Sequence, residues 1–133
     1  MTRVLMDTVG LLALFDEDDQ WHDAASAAFL KITLKADRVV ATSAVLLECG
    51  NALARSSFRS DLDELRRQLE VSGRLIQPTE ADWASAWRAY VRGEADAAGI
   101  VDHVSFAVMR RLGITAAFTN DKHFRAAGFE TLF

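Results

Sequence analysis

What the chain has little of narrows the field first. It contains one cysteine, Cys49, so no internal disulfide is possible, and no Cys or His stands near it at zinc-ligand spacing. Cys49 therefore reads as a small core residue, and a reducing cytoplasm is the default compartment. Long apolar runs are missing. The longest, such as VGLLALF, are far too short to cross a bilayer, and the N-terminal MTRVLMD meets an acid at position 7, so no signal peptide is visible. There is no basic surplus either. Fifteen Lys and Arg face nineteen Asp and Glu, a net charge of −4. That argues against a protein that coats nucleic acid non-specifically, which needs a basic surface. It leaves room for an enzyme that binds nucleic acid through a bound metal and a local basic patch. The acidic turn FDEDDQ is not a calcium loop: it lacks the third ligand, the following glycine and the closing glutamate. No repeat, low-complexity segment or linker interrupts the chain.

What is there suits one domain over residues 1–133 with one core. RVLM predicts a strand ending at Asp7, and TVGLLALF a short apolar helix. Trp21, Ala25, Ala28 and Ile32 fall at helical spacing. RVVATS predicts a second strand running into a Thr42/Ser43 cap, followed by the helix SAVLLECGNALAR. Phe58, Leu62, Leu65 and Leu69 form one stripe of an amphipathic helix lying on a surface. RLIQ is a third strand. Thr79 and Asp82 make a capping box for a helix whose buried face carries Trp83, Trp87 and Tyr90. VDHVSFAVMRRLG is a largely apolar helix stopping at Gly113, ITAAF a fourth strand, KHFRAAG a short helix and ETLF a last strand. Strands alternate with helices and no hairpin joins two strands, which favours an α/β fold with a parallel sheet and helices on both faces.

Four acids stand in apolar company. Asp7 ends the first strand, Glu48 interrupts AVLLECG, Asp102 opens an apolar helix, and Asp121 ends ITAAFTN. Three of these positions are strand exits or helix starts, which an open parallel sheet gathers at its carboxyl edge, where ligands bind. Glu48 falls in line with Val45, Cys49 and Ala52 and so points towards the protein. Each acid also has a plain explanation: Asp7, Asp102 and Asp121 as helix caps, Glu48 as half of a salt bridge. Gathered in one cleft, four carboxylates repel one another and suit a hard divalent cation with oxygen ligands, Mg²⁺ or Mn²⁺. Such a site can deprotonate a water and hold a phosphate oxygen.

The segments MDT, TSAVLLECGNAL, VDHVSFAVMRRLGI and TNDKHF, in this order and at these intervals, resemble the PIN-domain ribonucleases, and among them the VapC-type toxins of bacterial toxin–antitoxin pairs. The likeness covers nearly the whole chain. It implies a PIN-like parallel sheet of about five strands in the order 3-2-1-4-5. It also implies Mg²⁺- or Mn²⁺-dependent endonuclease cleavage of RNA by metal-activated water. Asp7, Glu48, Asp102 and Asp121 match the family's acidic quartet, Thr8 and Thr119 its neighbouring hydroxyls, and Asn51 a supporting polar position. The family's partners, a small antitoxin protein and a second copy in a homodimer, are implied with it. The dimer would bury either the Phe58–Leu69 stripe or the face with Trp83 and Trp87. Val9 and the apolar lead-in EADAAGIVD depart from the family pattern.

Arg55, Arg59, Lys122, His123 and Arg125 are candidates for an RNA-facing rim. Arg110 and Arg111 read as complements to their helix dipole, and His22 and His103 as surface groups. Two other classes stay open. A receiver-type or aspartyl phosphoryl-transfer domain also places acids at a sheet edge, although Asp7 stands alone where such domains carry two acids. A non-catalytic interaction module would keep a PIN fold without metal chemistry.

Overall fold

The computed structural model describes residues 2–133. Its strands are β1 (Arg3–Met6), β2 (Arg38–Thr42), β3 (Leu75–Ile76), β4 (Ala116–Phe118) and β5 (Glu130–Thr131). Its helices are α1 (Thr8–Phe15), α2 (His22–Leu34), α3 (Ser43–Ala52), α4 (Arg59–Val71), α5 (Glu80–Val91), α6 (Glu94–Ala97), α7 (Ile100–Leu112) and α8 (Lys122–Ala126). The strands form one sheet in the order β3-β2-β1-β4-β5, and every pairing is parallel. This is the expected order. It differs from the 2-1-3-4-5 order of receiver domains, which removes the receiver half of that rival.

The central strands are apolar on both faces because helices cover both. Val4, Met6, Ala41 and Phe118 face a core completed by Leu11, Ala25, Ile32, Val45, Cys49 and Leu69. Leu5, Val40 and Ala117 face a second core with Phe106, Met109, Ile114 and Phe124. Cys49 is buried, as its composition context predicts. The α4 stripe is consumed inside the subunit: Leu69 is buried, Leu62 and Leu65 pack on the first core, and Phe58 stacks on Phe15. That leaves the α5 face as the candidate for a contact between copies.

Local signals are honoured where they are strong. Thr42 Oγ1 accepts from the Val45 N–H at 3.1 Å and starts α3. Thr79 and Asp82 form the predicted capping box, and Gly113, at φ 69°, ends α7 in the left-handed cap that favours glycine. Gly10 has a packing role. A Cβ there would fall 2.0 Å from the Phe118 carbonyl oxygen, so only glycine lets α1 lie directly on the end of β4.

Three expectations are corrected. Trp83, Trp87 and Tyr90 are 39%, 51% and 45% exposed; α5 buries Asp82 and Ala86 instead, and Asp82 pairs there with Arg111 of α7, the helix on which α5 packs. His103 is buried rather than superficial, its ring set edge-on between Tyr90 and Phe106, and burial holds its pKa below the ordinary value. Arg111 grips Asp82, and Arg110 donates to the Ala127 carbonyl and lies over Phe129. Both arginines thus have tertiary partners beyond a helix dipole. The segment EADAAGIVD holds a further short helical turn, α6, with Ala95, Asp96 and Ala97 at φ 54–58°. Three successive left-handed residues without a glycine are costly, about 1–2 kcal/mol each.

Candidate active site

Asp7 leaves the central strand where α1 begins. It occupies the N-cap position, yet its side chain makes no capping bond, so the capping explanation fails. The residue is 1% exposed. Thr119 Oγ1, at the exit of the neighbouring strand β4, donates to Asp7 Oδ2 at 2.9 Å. Asp7 Oδ1 and the buried Thr8 Oγ1 have no hydrogen-bond partner among the described residues. Burial pushes the Asp7 pKa up from 3.8 to about 6; the Thr119 hydroxyl and then the Thr8 backbone N–H work against this, and the Asp121 and Glu48 charges add to it.

Asp102 is the third residue of α7, whose N-cap is Gly99, so it is not a cap either. Partial burial, then the charges of Asp7, Asp121 and Glu48, push its pKa up to about 7. Asp121 does cap a helix. Its Oδ1 accepts the His123 backbone N–H at 2.9 Å, and the same oxygen meets His123 Nδ1 at 2.8 Å. Its own N–H donates to Thr119 Oγ1 at 3.1 Å. Thr119 therefore ties Asp7 and Asp121 together. Ligand-capable atoms of Asp102, Asp121 and His123 all lie within 4.8 Å of one another.

Glu48 corrects the sequence reading in one respect. It is exposed, not turned into the protein, because α3 buries Val45 and Cys49 while Leu47 and Glu48 face outward. Its charge is still felt at Asp7 and Asp102. Asn51, also exposed, joins Glu48 in lining a groove of about 280 Å³ with Trp83, Trp87, Leu47 and Ile100.

A carboxylate group of this kind, hung on a 3-2-1-4-5 parallel sheet, meets a direct match. The family profile described as PIN domain covers residues 4–130. The chain belongs to the PIN-domain family. At 29% identity over 131 residues, 95% of each chain, this PIN domain is similar to the 23S rRNA-specific endonuclease VapC20 of Mycobacterium tuberculosis. The crystal structure of that protein, described as a sarcin-ricin loop cleaving toxin, superposes with a TM-score of 0.78 at 27% identity, covering 95% of both chains. FitAcB from Neisseria gonorrhoeae shares the fold at 18% identity and a TM-score of 0.65, covering 98% of this chain and 96% of its own.

The PIN domain's candidate rim is largely tethered. Lys122 Nζ pairs with Asp96 at 3.1 Å. Arg59 donates to the Ala54 carbonyl at 3.3 Å, and Arg125 to the Asn120 carbonyl and Thr131 Oγ1, both at 3.2 Å. Arg55 is exposed just beyond α3. Asp96 was not singled out in the sequence, and only its place in a left-handed turn brings it to Lys122. The His123–Asp121 contact did have a signal: an acid and a histidine two residues apart at a helix start.

Proposed function

We propose that this PIN domain is a divalent-metal-dependent endoribonuclease and acts as the toxin of a toxin–antitoxin pair in the cytoplasm. The observation that carries the reading is Asp7: a buried carboxylate with, among the described residues, one oxygen unpartnered and no cationic side chain beside it, and with other acids close enough to raise its pKa. A buried acid left in that state is costly, and an external cation relieves the cost. The donor set fits a hard ion, since Asp7, Asp102 and Asp121 offer oxygens and Glu48 is exposed to complete the set. Mg²⁺ or Mn²⁺ is the cation this chemistry prefers.

When bound, the cation supplies charge stabilisation at phosphate and lowers the pKa of a coordinated water. The chain's residues do the rest. Asp7, Asp102 and Asp121 hold the cation, Thr119 fixes the Asp7 carboxylate through one oxygen, and Glu48 and Asn51 stand at the mouth of the cleft. Without a cation the cleft repels phosphate, so the net charge of −4 makes RNA binding at the site metal-dependent. VapC20 is described as acting on 23S rRNA, and structured ribosomal RNA is the substrate class to try first.

Two partners belong to this reading. An antitoxin would set a basic side chain, best an arginine, against the carboxylates, because arginine binds them bidentately. A second copy would cover the α5 face with Trp83 and Trp87, exposed apolar surface of a kind that marks contact sites.

The test is purified protein with Mn²⁺ or Mg²⁺ and 23S rRNA or a hairpin cut from it. Cleavage should appear, stop with excess EDTA, and fall about a hundredfold or more in Asp102→Asn. Undiminished cutting by that variant sinks the assignment. A protein that neither binds metal nor cleaves RNA would favour the interaction module instead.

A further inference from the structure

We propose that His123 is a positioning residue that fixes the carboxylate of Asp121 for cation binding; this rests on the metal reading of the cleft. Two donors from one residue converge on a single oxygen. The His123 backbone N–H and its ring Nδ1 lie 2.9 and 2.8 Å from Asp121 Oδ1. An ionised carboxylate only accepts hydrogen bonds, so Nδ1 carries a proton and donates. Among the described residues, the bonds to the Asp121 side chain all fall on Oδ1, which leaves Oδ2 for a cation.

The rest of the loop is held to match. The Asp121 N–H is anchored on Thr119 Oγ1, and Thr119 in turn donates to Asp7. Main chain and side chain of Asp121 are thus fixed from opposite ends, by Thr119 and by His123. A carboxylate held only by a backbone N–H keeps rotational freedom about its side-chain torsions; the imidazole adds a second donor and removes it. Binding a cation then orders one side chain fewer. His123 is only partly exposed, and its Nδ1 is engaged. On this view it is not a freely mobile RNA contact on the rim.

The backbone N–H of residue 123 survives replacement by Ala, Gln or Asn, so the cap of α8 persists and these variants fold. Calorimetric titration with Mn²⁺ alone, on wild type, His123→Ala, His123→Gln and His123→Asn, separates the roles. The asparagine amide Nδ2 stands where Nδ1 stood; the glutamine amide reaches instead towards the Nε2 position. Affinity should fall about 10–100-fold in the alanine and glutamine variants, as is usual when a ligand loses its orienting partner, and largely return in His123→Asn. The kcat lost by His123→Ala should recover at high Mn²⁺ with KM for RNA unchanged.

Equal Mn²⁺ affinity in all four proteins overturns the proposal. So does a raised KM with intact metal binding, which would make His123 an RNA contact. An asparagine variant as weak as alanine also overturns it, since the imidazole would then be a ligand itself. Wild type that binds no Mn²⁺ removes the metal reading, and this inference with it.

Discussion

Asp82 and Asp7 are both buried aspartates at the start of a helix, and the protein treats them in opposite ways. Asp82 receives the Arg111 guanidinium at 2.8 and 3.1 Å and the Thr79 N–H at 2.9 Å. Those bonds, Arg111 first, hold its pKa below the ordinary value despite burial. Among the described residues Asp7 receives one side-chain donor, the Thr119 hydroxyl, and keeps one oxygen without a partner, and its pKa is raised to about 6. Neither side chain reaches solvent, but Asp7 lies deeper, where desolvation is the main cause of its raised pKa, whereas Asp82 lies nearer the surface with a guanidinium beside it. An acid that the chain neutralises itself serves the fold. An acid that the chain buries and leaves short is where the proposed cation would bind.

The largest test of that contrast is activity. Asp7→Asn should cut Mn²⁺-supported RNA cleavage by about a hundredfold or more, a loss at or beyond the upper end for residues that merely support a ligand. Asp82→Asn should leave cleavage per folded molecule near the wild-type rate. Equal losses in the two variants would erase the distinction.

Stability without metal should reverse the order. In EDTA, Asp7→Asn is expected to melt above wild type, since the amide removes repulsion from Asp121 and Glu48 and keeps the shape. Asp82→Ala is expected to melt below it, losing the capping box and leaving Arg111 unpaired. Adding Mn²⁺ should raise wild type by about 2.7 kcal/mol at a hundredfold excess over its Kd and Asp7→Asn by less. Thermal melts of the three proteins, with and without metal, read this directly.

A smaller effect lies in pH. Asp7 and Asp102 have folded pKa values raised to about 6 and about 7, above the 3.8 expected when unfolded. Between those limits the folded state binds more protons than the unfolded one, so stability falls as pH rises. The metal-free protein should therefore lose stability from about pH 4 to pH 7, and the double variant Asp7→Asn/Asp102→Asn should flatten that slope. A wild-type slope of the opposite sign in EDTA would show that these acids are not the strained ones. Smallest of all should be Arg111→Lys, which replaces a two-pronged donor by a point charge. Its melting temperature should drop less than that of Asp82→Ala, with Mn²⁺ affinity unaltered.

The sequence carried the fold well because its punctuation is local. Alternating strands and helices, the Thr79/Asp82 box and the Gly113 stop are each set by neighbours within a few residues, and all appear as read. Asp7, Asp102 and Asp121 were legible as acids in apolar company, and topology alone brings them to one edge. The failures share a cause. Whether Trp83, Trp87, Glu48 and His103 face in or out depends on which helix packs across them, and helical spacing defines a face without saying what covers it. The left-handed turn at Ala95–Ala97 was invisible for a related reason: alanine carries no local preference for positive φ, so only tertiary contacts can hold it there.

The strand order has a consequence for how the protein is made. β1 lies at the middle of the sheet with β2 on one side and β4 on the other, and translation delivers β4 and Asp121 near the end of the chain. A nascent chain that has folded β1, β2 and β3 already carries Asp7 and Glu48, but it has neither Thr119 to fix Asp7 nor Asp121, the last of the proposed cation ligands. No N-terminal fragment holds the whole acidic cleft. If ribosomal RNA is the substrate, the ribosome building this chain faces no finished site until β4 has been added and has paired with β1.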